Sequence, residues 1–215
     1  MPREGKHDRF GRLLCEALKP HLDEDYRYTG APHHGFRRKT VFGHESVMVH
    51  IWGAHAPERH LEFMLGVWHD KYEATRLQLG IEPTLAGADH FWQTTFNLRG
   101  HWSIAGTHEG RWDANLDAIP STLTSEIVPF LTDAMHVVFN ACADLRTVRE
   151  LVSQGFNGPL WTSEPWRQIA IIDAALRDWR HLAGFIRNSD LPFSAGKDMN
   201  LIKGIQKAFD FEYAD

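Results

Sequence analysis

Cysteine is almost missing from this chain, with 2 residues in 215. Cys15 and Cys142 stand far apart in apolar stretches and form no CxxC pair. That excludes a disulfide framework and a thiolate zinc site, and predicts two buried, reduced thiols. Long apolar runs are absent too, and nothing approaches the roughly 20 residues a bilayer-spanning helix needs. The opening residues, Met1 to Lys6, carry no apolar core of the signal-peptide kind, so the expected compartment is the cytoplasm. GxxxxGK, GxGxxG, HExxH and GxSxG patterns are lacking, as are internal repeats and low-complexity tracts. No catalytic residue, metal ligand set or cofactor is therefore nominated.

The composition that remains is that of a globular protein: 43% hydrophobic and 24% charged, with a net charge of -5. An acidic balance gives no general pull toward nucleic acid or anionic membrane, and favours a basic partner. The length fits one domain over residues 1–215, an α+β core over 8–152 followed by a C-terminal helical extension over 153–215. Histidine and tryptophan stand above background, at 14 and 8 residues. Imidazole raises the prior for metal or acid–base chemistry.

Periodicity divides the chain. Phe10, Leu13, Leu14, Ala17 and Leu18 recur at helical spacing from Asp8 to Lys19, where Pro20 ends or kinks the helix. From Phe36 the period falls to two. Strands are predicted at Arg38–Phe42, Ser46–Trp52, His60–Trp68 and Phe91–Leu98, with His101–Ile104 a candidate fifth and Gly43–Glu45 a turn. Without long helical crossovers, these strands favour an antiparallel meander. Helical spacing returns from Leu123 to Cys142, with Pro129 in a first turn or at a kink. Asp144 caps a short helix that Gly155 ends. Ile169, Ile172, Leu176, Trp179 and Ala183 make the stripe of a further helix, and a last helix begins near Asp198. The fold class is thus α+β, an antiparallel sheet of four to five strands packed against N-terminal and C-terminal helices.

Pairing Trp52 with His60 as a hairpin sets His50 opposite Glu62 and Met48 opposite Met64. Val47, Val49, Ile51, Leu61, Phe63, Leu65 and Val67 then share one face, and Trp52, Trp68, His50 and Glu62 share the other. These four are candidate binding residues, since aromatic anchors carry much interface energy. Arg37 and Arg38, in the basic run His33 to Lys39, are candidate anion clamps as well as candidates for a solvated strand start. His50, His55, His60, Glu62, His69 and Asp70 pose a metal question, although their spacing fixes no ligand geometry.

The helix ending LCEALKP, the segment GFRRKTVF, the strands VMVHIW and HLEFMLGVW, and the run IVPFLTDAMHVVFNACADLRTVRELV resemble the bacterial domain-of-unknown-function family numbered 4304. The resemblance spans roughly residues 8–152 and rests on apolar patterning with a Gly-Phe-basic signature at 35–39. The HAPERH loop and the longer C-terminal region depart from it, and it supplies no catalytic residues. It implies small α+β proteins encoded near bacterial toxins, some of them immunity proteins. The functional expectation is a non-enzymatic, cytoplasmic protein-binding module whose partner is a toxin or effector. The alternative is a metal-dependent hydrolase or nuclease using the His/Glu/Asp cluster.

Overall fold

Alternating apolar residues commit the centre of the chain to sheet. The computed structural model describes residues 6–30, 34–52, 60–81, 96–98, 111–113, 119–154, 160–161, 165–188 and 197–210. Strands β1 (Arg27–Tyr28), β2 (Gly35–Lys39), β3 (Gly43–Trp52), β4 (His60–His69), β5 (Phe96–Leu98), β6 (Arg111–Asp113) and β7 (Leu160–Trp161) form one sheet. Its order is β1-β2-β3-β4-β5-β7, with β6 also on β4. All described pairings are antiparallel. The α+β class stands, with two-residue and three-residue strands added that are too short to show any alternation. Residues 91–95 and 101–104, read from sequence as strand, lie outside the described residues.

The β3–β4 register pairs Trp52 with His60, His50 with Glu62 and Met48 with Met64. Val47, Val49, Leu61, Phe63, Leu65 and Val67 are all buried in the core. Each such side chain contributes about 1.5–3 kcal/mol on burial, and a one-residue slip would turn the whole set outward. That penalty is what specifies the register.

One turn differs from expectation. β2 ends at Lys39, the chain reverses through residues 40–42, and β3 starts at Gly43, so the strand lies about three residues earlier than the apolar pattern indicates. Thr40 N–H donates to Gly43 O at 2.9 Å, and Asp70 N–H donates to Phe42 O at 2.9 Å. Gly43 has φ +148°, and a Cβ there would overlap the Trp68 carbonyl oxygen. Glycine is therefore a strand residue here, holding a backbone that no other residue adopts without strain. Val41, at the turn, is fully exposed.

Helices α1 (Lys6–Leu18) and α4 (Val128–Cys142) pack on the aliphatic face of the sheet. Gly11 lets α1 approach closely, because a Cβ there would strike the His34 ring. A 3-10 turn, Lys19–His21, follows α1 with Pro20 in its first turn. Before α4 come α3 (Ile119–Thr122) and a π-helical turn, Leu123–Ile127, after which Pro129 sits at the start of α4. The widened turn answers proline's missing N–H and its ring's conflict with the carbonyl four residues back.

α5 (Leu145–Ser153) begins as expected, with the Asp144 carboxylate accepting from Arg146 N–H at 3.1 Å. The stripe from Ile169 to Ala183 breaks into α6 (Pro165–Leu176) and α7 (Trp179–Asn188). Arg177 takes the left-handed conformation at φ 56°. Asp178 N–H closes on Asp173 O at 2.9 Å, and its side chain accepts from His181 N–H at 3.2 Å. One helix therefore terminates and the next is capped within two residues.

α2 (Asp70–Gln78) has no counterpart in the sequence prediction. Its buried residues are Tyr72, Glu73 and Thr75, so it lacks an apolar stripe, and Glu73 is paired with Arg76. α8 (Lys197–Phe209) contributes Leu201, Ile202 and Ile205 to the same core cluster that holds Phe10 and Leu14. β7 joins the sheet, so residues beyond 153 supply strand as well as helix. Among the described residues, no helix is long and apolar enough to cross a membrane.

Candidate functional site

Side chains alternate across a strand, so the register decides which candidates share a face. Arg37 lies opposite Ser46, which lies opposite Gly66. Lys39, His44 and Trp68 make the next row, and His50, Glu62 and Arg111 another. Arg37, His50, Trp52, Glu62 and Trp68 therefore occupy one face, the one turned away from the core cluster. His50, Trp52 and His60 are placed by register alone.

This face is not uniformly open. Ser46, Met48 and Glu62 are buried, whereas Met64, Trp68, Arg37 and His44 are half-buried. Burial, which penalises the charged form, lowers the Arg37 pKa from its usual value. Trp68 stacks on His44 with ring centroids 5.8 Å apart and planes at 5°. A flat aromatic pair thus marks the end of the sheet near the β2–β3 turn, and Trp52 marks the other end. Trp68 is eight residues along β4 from the position opposite Trp52, a separation of about 27 Å at the rise of an antiparallel strand.

Arg38 is placed differently, on the aliphatic face. Its Nε and Nη2 donate to Glu45 Oε2 at 2.9 and 2.6 Å, and its Nη1 donates to Asp23 Oδ2 at 2.6 Å. The guanidinium lies 4.7 Å from the Tyr26 ring centroid, and Tyr26 O–H donates to the same Glu45 oxygen at 3.1 Å. Burial opposes the charge on Arg38, yet the hydrogen bond to Glu45 and the carboxylates around it leave the net shift upward. Arg38 is thus the counter-ion of Glu45, a carboxylate only 4% exposed. Leaving that carboxylate unpaired would cost several kcal/mol, roughly 3–5 by the usual scale of broken buried pairs.

Glu45 was hidden in the sequence by its assignment to a turn. Its strand position, facing Arg38 across β2 and β3, is the signal: two opposite charges at paired core-facing sites imply a buried ion pair. A second polar cluster joins α5, α6 and α7. Asp173 has no exposed surface; Arg149 Nη1 donates to it at 2.5 Å and also to Asp178 at 2.9 Å, and His181 Nδ1 lies 2.7 Å away. Burial raises the Asp173 pKa, against the opposing hydrogen bonds from His181 and Arg149.

The histidine cluster divides. His69 is buried on the core side, stacked on Phe42 at 5.6 Å, and so faces away from Glu62. His55 lies outside the described residues. Among the described residues, no three His, Cys, Asp or Glu side chains gather as a metal site. Register does bring three of the sequence-nominated positions together: His50 opposite Glu62, and His60 two residues along β4 on the same face. Compared with known proteins, the chain matches no family model, no curated protein sequence and no solved structure.

Proposed function

We propose that this chain is a non-enzymatic protein-binding module, specifically a cytoplasmic immunity protein that neutralises a bacterial toxin. The supporting observation is the placement of Trp52 and Trp68 at opposite ends of one sheet face, about 27 Å apart at the antiparallel rise. That spacing suits two anchors of a protein interface, whose standard footprint is about 800 Å² per partner. The net charge of -5 matches a basic partner and speeds encounter with it. The patterned resemblance of residues 8–152 to family 4304 supplies the toxin context. The test is titration of the purified chain against the toxin encoded beside its gene, read by calorimetry. A one-to-one complex weakened at least about tenfold by Trp68→Ala is expected. No complex with any adjacent toxin, or a complex indifferent to both tryptophans, would sink the reading.

The register favours one second reading, a metal-dependent hydrolase or nuclease. Two histidines and a carboxylate at adjoining positions of one face, His50, His60 and Glu62, are ligand types that suit zinc or iron. Across β6, Asp113 adjoins His60. Elemental analysis of untagged protein should then find one metal per chain, lost in Glu62→Gln. Metal at background level in the parent protein removes this reading and leaves the first untouched.

A further inference from the structure

Beneath the other face of the sheet, a cleft of about 270 Å³ lies between the segment Leu18–Asp23 and α4. That is close to the lower end of ligand pockets, roughly 300 Å³, and suits a metabolite-sized molecule. Its lining is mixed, with Leu22, Leu131, Met135 and Phe139 set beside Arg38, Glu45 and Thr132. Asp23, His136 and Asn140 stand at its exposed rim.

The charges do not cancel. Glu45 and Asp23 both line the cleft against the single guanidinium of Arg38, and Asp25 approaches that guanidinium at 3.8 Å. The hydrogen bonds within Glu45 are also lopsided. All three donors, Arg38 Nε, Arg38 Nη2 and Tyr26 O–H, converge on Oε2. Among the described residues, no donor reaches Oε1. A carboxylate carries about four acceptor sites, so Oε1 keeps the capacity to accept a donor brought by a ligand in place of water. Arg38 already donates three of its five N–H groups to Glu45 and Asp23, so an anionic ligand would have to compete with these carboxylates for the guanidinium.

We infer that this cleft is a binding site for a small organic cation, an ammonium group directed at Glu45 Oε1 with its apolar body between Leu22 and Met135. The site is independent of the sheet face proposed for protein binding. With two carboxylates set against one guanidinium, the cleft rewards an amphipathic amine over its neutral or anionic analogue, because only the amine joins a complementary charge to apolar contact with Leu22 and Met135.

Phenethylammonium is the probe, with 2-phenylethanol and phenylacetate as isosteric controls, observed by methyl NMR of Met135 and by calorimetry on the full chain. Phenethylammonium should shift the Met135 methyl saturably and bind about tenfold more tightly than the alcohol, with phenylacetate weaker still. Asn140→Lys sets a positive charge at the exposed rim without touching the core. It should weaken the amine about fivefold at low salt while leaving the melting temperature unchanged. A Met135 resonance unmoved by millimolar amine, equal affinity for amine and alcohol, or an Asn140→Lys variant that binds like the parent overturns the inference.

Discussion

His44 and Trp68 lie flat against each other across β3 and β4, with ring centroids 5.8 Å apart and planes inclined by 5°. The two positions are direct partners in the register, so the stack ties the strands together where the β2–β3 turn begins. A double-mutant cycle with His44→Ala and Trp68→Ala should return a coupling of about 0.5–1.5 kcal/mol in urea unfolding. Strict additivity of the two substitutions would show that the stack contributes nothing.

Gly43 sits under the same pair. Gly43→Ala should destabilise the fold by about 2–4 kcal/mol, from a positive φ combined with overlap on the Trp68 carbonyl. The measurement is the urea midpoint at constant slope. A loss below about 0.5 kcal/mol, the ordinary scatter of surface substitutions, would place glycine's role elsewhere.

The α6–α7 break yields a stabilising change and a destabilising one. Arg177→Gly relieves a left-handed backbone at φ 56° and should raise stability by about 0.5–1 kcal/mol. Asp178→Ala removes both the cap on His181 N–H and one of the two carboxylate partners of Arg149, and should cost about 1–2 kcal/mol at neutral pH. The hydrogen bond from Arg149 is the largest influence holding the Asp178 carboxyl below its usual value of 3.8. Its contribution is therefore present above that value and lost as pH falls through the lower, folded one. The gap between parent and Asp178→Ala should accordingly narrow in acid, and a gap that widens there would contradict the pairing.

His69 sets a pH dependence of its own. Burial lowers its pKa from 6.5, outweighing the hydrogen bond to the Ala143 backbone and the charge of Asp70. The folded chain thus holds His69 neutral while the unfolded chain takes up a proton. Its contribution is complete above 6.5 and is lost progressively as pH falls below it, toward the folded value. Urea unfolding from about pH 7.5 to about pH 5 should show a steeper loss of stability for the parent than for His69→Gln. Equal slopes would refute this.

How far the sequence foretold these features depended on what kind of signal each one left. The β3–β4 hairpin was legible because Ser46–Trp52 and His60–Trp68 both alternate, so that one register buries Val47, Leu65 and their neighbours together. Asp144 as a helix cap was legible because capping is a local act of one side chain. α2 was not, since it buries Tyr72, Glu73 and Thr75 in place of an apolar stripe. The α6–α7 break was hidden because an arginine performs the turn that glycine usually marks. Of the candidate residues, Arg37, His50, Trp52, Glu62 and Trp68 fall on one face as alternation dictates. Arg38 parts from Arg37 for the same reason, and its role beside Glu45 depended on knowing where the turn ends.

The bare tip at Val41 has a practical use. Burial silences both native thiols, holding each near a pKa of about 12. Val41→Cys would therefore offer a single accessible sulfur, and a fluorophore attached there would report directly on anything that settles over His44 and Trp68.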